Sequence, residues 1–366
     1  MKKSYRTSAL VGVLALGVAG CGEAPAETPG GGGASSGESS GASSDYLGCM
    51  VSDAGGFNDQ SFNQSGLEGL EAAVDELGVQ QQIAESASES DYSTNIDALV
   101  GGGCNQIISV GFLLADATAE AASANPDTNF ALVDAAVDPP QDNVKPLLFD
   151  TAQAAFLAGY AAAATSATGT VATYGGIKIP SVTVFMDGFV DGVAHHNSEK
   201  GTDVQVLGWD KAAQDGQFTG DFEDAQKGRN TTQNFLDAGA DVILPVAGPV
   251  GVGTLAAARD AKTAGSDVKV IWVDADGYNT QPDFADLILT SVVKEIGAAV
   301  QDSIAADVDG SYTAEPYVGT LENGGVSLAP FHDFEASLPA GLTEELTAIQ
   351  EGIVAGDIVV ESPSTP

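Results

Sequence analysis

The chain has 366 residues, 43% of them apolar, enough to bury a core in more than one lobe and too many for a chain disordered throughout. Its 51 acidic residues against 13 basic ones leave a formal net charge of −38. That excess repels phosphate backbones and anionic headgroups, so electrostatic binding to nucleic acid or to an anionic membrane surface is excluded.

Residues 1–20 read as a lipoprotein export signal. Lys2, Lys3 and Arg6 are basic, and the apolar run over residues 9–16 is too short to span a bilayer comfortably. "VAGC" then places small residues before Cys21, the pattern of a bacterial lipobox. On this reading Cys21 is lipidated and becomes the mature N-terminus. The protein is then expected on the extracytoplasmic face of the cell membrane, held by its lipid. Residues 21–44 comprise that cysteine and a flexible linker rich in Gly and Ser, without apolar periodicity. "GASSG" and "GESSG" within it match the G-x-S-x-G hydrolase pattern but lack the strand and helix that a nucleophile elbow needs.

Beyond the linker, apolar β-rich runs fall at residues 46–52, 106–110, 130–133, 181–185, 204–207, 241–246, 268–274 and 287–293. Ala-rich helical stretches such as 151–165 and 222–238 separate them. This alternation predicts an α/β fold with parallel sheets. Runs apolar throughout, such as "VILPV" and "VKVIWV", suit strands covered on both faces. Their number predicts two doubly wound lobes, with ligand beyond the carboxyl ends of the strands.

The stretch "SDAGGFNDQSFNQSGLEGL" sits at such an end. Asp53 ends the first strand, Gly55 and Gly56 turn the chain, and Asp59 is placed to cap a helix over residues 60–77 that Gly78 stops. Leu67, Leu70, Val74 and Leu77 form its expected buried stripe. Phe62 lies off that stripe, in the first turn, where it either faces a ligand or packs on the neighbouring turn.

Other signals are weaker. His195 and His196 are adjacent, cannot share one helix face, and are expected on the surface. "GPVGVG" lacks the G-K-[ST] of a phosphate loop, and "DADG" lacks the later ligands of a calcium loop. No catalytic Ser-His-Asp or Cys-His set presents itself, and neither a metal nor a cofactor is expected.

"DAGGFNDQSFNQSGLEGL" resembles the signature of the basic membrane protein family of solute-binding lipoproteins, which includes purine-nucleoside receptors of ABC importers. The likeness continues through "AAFLAGYAAAA", "VFMDGFVDGV", "GADVILPVAGPVGVG", "VIWVDADG", "ILTSVVKEIG" and "LENGGVSLAPFHDFE", covering residues 46 to about 350 in order. Gln60 departs from it, standing where the family often has Lys, and is read as surface variation. The resemblance implies a periplasmic-binding-protein type I fold: two doubly wound parallel-sheet lobes joined by a multi-stranded hinge and closing on a solute. Residues 45–150 would form the first lobe, completed by about 292–320, and residues 151–291 the second. Residues 321–366 would cross over, to either lobe.

The family pattern also implies a site. Asp53 and Asn63 would read the edge of a base, Phe62 would stack on it, and Phe189 would oppose Phe62 from the second lobe. Asp134 would line the pocket, and Gly248 would let backbone approach the ligand. Asp274 would accept from ribose hydroxyls, and Lys294, the only Lys or Arg after Lys269, would reach the sugar from the hinge. The expected partners are a nucleoside-like solute and the permease and ATPase of an ABC importer, with the receptor a monomer. A sensory receptor without transport, or less readily a nucleoside-acting enzyme, are the alternatives. With Cys21 assigned to lipid, Cys49 and Cys104 remain in an exported chain, on strands adjacent in a 2-1-3 sheet. A disulfide between them is expected, with two buried free thiols as the alternative.

Overall fold

The computed structural model describes residues 45–366. The predicted export signal, Cys21 and the linker lie outside the described residues. The chain begins β1 (Leu47–Ser52), α1 (Phe62–Leu77), β2 (Gln80–Ala84), α2 (Tyr92–Gly101), β3 (Gln106–Val110), α3 (Ala115–Ala124), β4 (Asn129–Val133) and β5 (Val144–Phe149). It continues with α4 (Thr151–Thr165), β6 (Thr170–Gly175), α5 (Pro180–Lys200), β7 (Gln205–Leu207), β8 (Trp209–Asp210), β9 (Asp215–Gly216), α6 (Ala225–Asp237), β10 (Val242–Val246) and α7 (Gly251–Thr263). Last come β11 (Lys269–Asp274), α8 (Gly277–Thr280), β12 (Ile288–Lys294), α9 (Ile296–Val308), β13 (Tyr317–Gly319), β14 (Val326–Leu328) and α10 (Leu342–Ala355).

Two six-stranded sheets carry the architecture. The first runs β13-β5-β4-β3-β1-β2 and is parallel throughout. The second runs β14-β12-β11-β10-β6-β7, with β14 alone antiparallel. Position by position the two orders are the same. The central strands β3 and β10 are buried at every residue because helices cover both faces, which is why their sequences do not alternate. The chain passes between the sheets three times: from β5 into α4, from β12 into α9, and from β13 to β14. Accordingly α4 packs on α5 of the second sheet, and α9 on α1 of the first.

Several expectations need correction. Residues 181–185, "SVTVF", are not a strand but the opening turns of α5. Pro180 occupies the first turn, where its fixed φ and missing N–H suit a helix, and α5 then packs so closely on α4 that a Cβ at Gly192 would meet the Phe156 carbonyl oxygen at 1.9 Å. Packing overrides the β-branched local preference. The helix expected at 60–77 begins at Phe62. Its buried face is Asn63, Gly66, Gly69, Leu70 and Ala73, rotated from the predicted stripe, and Leu77 is exposed. The rotation follows from Gly69, whose backbone lies against Gly297 of α9; a Cβ there would stand 2.2 Å from the Gly297 oxygen. His196 is buried, edge-on to Tyr160 with ring centroids 5.0 Å apart. His195 lies against Phe156, at 5.3 Å.

Cys49 of β1 and Cys104, just before β3, are joined by a disulfide, with Cα atoms 5.9 Å apart. Both are buried beneath α2 in the apolar cluster on one face of the first sheet.

Candidate functional site

The carboxyl ends of the central strands of both sheets open onto one cleft. The cavity left between its walls is small, about 60 Å³. Asp53 follows β1, Gly111 and Phe112 follow β3, and Asp134 follows β4. From the second sheet, Ala247 and Gly248 follow β10, Asp274 ends β11 and Lys294 ends β12.

The polar centre is Lys294. It is 4% exposed, and its Nζ lies 2.6 Å from Asp134 Oδ2 and 3.1 Å from Asp274 Oδ1. One cation thus binds a carboxylate from each sheet. Burial acts to lower the Lys294 pKa, but the two carboxylates outweigh it and hold the ammonium charged. Burial pushes the Asp134 carboxyl up despite the pull of Lys294. Asp134 and Asp274 both have left-handed backbone, at φ 63° and 69°. Such conformations persist where surrounding structure imposes them and gather at functional sites. Ser61 Oγ donates to the Val273 carbonyl at 3.3 Å and to Asp274 Oδ2 at 3.2 Å, a second link between the sheets.

Aromatic rings enclose this centre. Lys294 Nζ stands 4.6 Å from the Phe62 ring centroid and 5.4 Å from that of Phe185. Phe112 and Phe222 complete the aromatic lining.

At the other end, Asn63 is 1% exposed and locks Asp53: its Nδ2 donates to Asp53 Oδ1 at 2.7 Å, and its Oδ1 accepts from the Asp53 N–H at 3.2 Å. Gly55 N–H also donates to Asp53 Oδ1, at 3.1 Å. Among the described residues no donor reaches Asp53 Oδ2, which leaves one acceptor for a ligand. Asp59, by contrast, spends its oxygens on the backbone N–H groups of Ser61, Asn63 and Gln64. It caps α1 as the sequence suggests, but from two residues before the N-cap position. Gln60 is exposed at φ 54°, ahead of the helix.

Seven of the eight residues expected around a ligand, Asp53, Phe62, Asn63, Asp134, Gly248, Asp274 and Lys294, therefore line one cleft. Phe189 does not. It is fully buried, with its backbone against Gly159 of α4. Phe185, one helical turn earlier, reaches the cleft instead. The family pattern named Phe189 rather than Phe185, and Phe112 and Phe222 were missed because loop residues carry no periodicity. The rule that ligands sit beyond strand ends could have found Phe112, two residues past β3.

Burial pushes the Asp53 carboxyl up to about 6, against the Asn63 and Gly55 N–H groups that draw it down. A raised folded pKa favours the fold at low pH. That contribution is complete below about pH 4, the unfolded value, and is lost as pH rises to about 6. Asp53→Asn lacks it, so from pH 4 to 7 the parent should lose about 2–3 kcal/mol relative to the variant. Urea unfolding at both pH values measures this, and an unchanged difference would contradict a desolvated Asp53.

The chemistry on offer is recognition. Carboxylate oxygens can accept from hydroxyl or amino groups, one ammonium can donate, and phenyl rings can flank a flat solute. Residues 47–335 match the family model described as ABC transporter substrate-binding protein, PnrA-like. The chain is 33% identical to the ABC transporter nucleoside-binding protein BmpA of Lactococcus lactis subsp. cremoris (strain MG1363), over 80% of this chain and 84% of the relative. It is 31% identical to basic membrane protein A of Borreliella burgdorferi (strain ATCC 35210 / DSM 4680 / CIP 102532 / B31), over 67% of this chain and 68% of the relative. Among solved structures, a solute-binding protein of an ABC transporter system from Aeropyrum pernix K1 superposes with a TM-score of 0.74 at 27% identity, covering 87% of this chain and 94% of that one. The two parallel-sheet lobes are thus the periplasmic-binding-protein architecture. The chain belongs to the PnrA-like family of ABC transporter substrate-binding proteins.

Proposed function

We propose that this protein is a lipid-anchored, monomeric receptor that captures a purine nucleoside, or a solute built like one, and presents it to the permease and ATPase of an ABC importer. The observation that carries this reading is Lys294, bound to Asp134 and Asp274 between the Phe62 and Phe185 rings. A ribose offers hydroxyls to the polar centre, and a purine offers π faces to the rings. Phe185 and Phe222 replace Phe189 as the opposing aromatic face. Asp53 Oδ2 reads the base edge, with Asn63 holding the carboxylate in place. The nucleoside named for the Lactococcus lactis relative supports the same class. The protein binds without turnover, so a nucleoside incubated with it should be recovered intact.

Isothermal titration with adenosine, guanosine, inosine and the matching bases tests this. Phe62→Ala should weaken nucleoside binding by about 1–3 kcal/mol, the range for base–aromatic stacking. Asp274→Ala should cost ribonucleosides far more than free bases, because only ribonucleosides present the diol. If the parent binds none of these solutes, the substrate class is wrong. If Phe62→Ala binds as well as the parent, Phe62 is a packing residue.

The anchor rests on the lipobox sequence at Cys21. Membrane-fractionated protein should carry a diacylglyceryl modification on Cys21 by mass spectrometry, and Cys21→Ser should leave the chain unprocessed. An unmodified Cys21 in the natural host would rule the anchor out.

A further inference from the structure

Residues 361–366, "ESPSTP", lie beyond the segment that the family model matches. They do not trail into solvent. Asp187 of α5 is fully buried and takes three donors: Trp209 Nε1 at 2.8 Å and Gln214 Nε2 at 2.9 Å on one oxygen, and Ser362 Oγ at 2.6 Å on the other. A buried carboxylate is tolerated when its oxygens are satisfied, so Ser362 meets a requirement of the core. The hydroxyls of Ser364 and Thr183 are 2.7 Å apart, and Lys211 Nζ donates to the Glu361 carbonyl at 2.5 Å. Pro363 and Pro366 restrict the backbone between and beyond these grips.

Every grip is on the second lobe. The tip, residues 363–366, nevertheless shares a side chamber with Phe112, Ala135 and Leu148 of the first lobe. Phe112, Asp134 and Ser181 line both this chamber and the main cleft, so the two spaces adjoin at the Asp134 end.

We propose that residues 361–366 form a fixed lip of the second lobe that closes the solute site on its Asp134 side, and so sets how long a solute stays bound. The proposal rests on the nucleoside reading for its ligand, but not for its geometry. The lip moves with α5, so it meets the first lobe when the lobes close and withdraws when they part. A solute held at Lys294 then has no exit on the Asp134 side while the lobes are closed.

The test uses the full-length chain with Ser362→Ala and Ser364→Ala together, and Ser364→Ala alone as the variant that leaves Asp187 satisfied. Stopped-flow displacement of bound adenosine, guanosine or inosine should show release about tenfold faster in the double variant and severalfold faster in the single one. Amide exchange without ligand should rise at Phe112 and residues 135–136 as well as in the tail. Unchanged release from folded variants that still bind would overturn the proposal, as would exchange confined to α5 and the tail. If the parent binds no nucleoside, the functional reading falls, and the exchange measurement alone decides the lip.

Discussion

Lys294→Met is expected to abolish solute binding and to destabilise the fold by about 3–5 kcal/mol, the cost of stripping one partner from a buried ion pair. The side chains of Lys294, Asp134 and Asp274 are 3%, 7% and 9% exposed, so water cannot take the place of the lost ammonium. The pH dependence has a definite sign. Lys294 has a raised folded pKa, so its contribution is present below the ordinary lysine value of about 10.4 and is lost as pH rises above it. Burial already raises Asp134, and without Lys294 it rises further. The variant's penalty should therefore shrink as pH falls and Asp134 takes up a proton. Adding Asp134→Asn to Lys294→Met should recover part of the stability and none of the binding. Urea unfolding of the three proteins, with titration of the best nucleoside, checks both halves. A single variant within about 1 kcal/mol of the parent would mean the pair is solvated, against the geometry described.

Removal of the disulfide by Cys49→Ala with Cys104→Ala should cost on the order of 4 kcal/mol, the chain-entropy expectation for a crosslink that closes a loop of this length. The cysteines are 55 positions apart in sequence, so the bond restricts a long stretch of the unfolded chain. Solute affinity should stay within about twofold, because both cysteines sit toward the ends of β1 and β3 remote from the cleft. A denaturant midpoint paired with one binding isotherm separates the two effects. Two titratable thiols in denatured, unreduced protein would remove the basis of the prediction.

Most of the sheet framework was legible in the sequence because buried parallel strands advertise themselves. β3, β10, β11 and β12 are apolar runs between helical patterns. β2 was illegible for the opposite reason: it is an edge strand, "QQQIA", exposed at four of five positions, so nothing in its composition marks burial. β5 carries Lys145 and Pro146, and Pro is rare within sheets. The mistake at 181–185 lies beside the site. Residues read as a strand could not place Phe185 in the first turns of a cleft-facing helix, and the family pattern had given the aromatic role to Phe189. Asp53 and Lys294 were legible because each stands at or just beyond a strand end, whereas Asn63, Asp134 and Asp274 came from the family pattern. Residues 361–366 carried no signal, since six polar and proline-rich residues show no pattern until Ser362 is seen to donate to Asp187.

The matching strand order of the two sheets has a consequence for how a solute can lie. Two like halves facing each other define an approximate dyad, and a site lined alike on both sides would accept an elongated molecule in either direction. This lining breaks the dyad. Asp134 and Asp274 are near-equivalents, but Lys294 comes from the second half alone, while Asp53 and Asn63 come from the first. The ammonium with its two carboxylates therefore marks one pole of the cleft and the locked Asp53 carboxylate the other. On the nucleoside reading proposed above, a molecule with hydroxyls at one end and a flat ring at the other would have a single favourable heading, imposed by side chains on a backbone that is itself almost indifferent to direction.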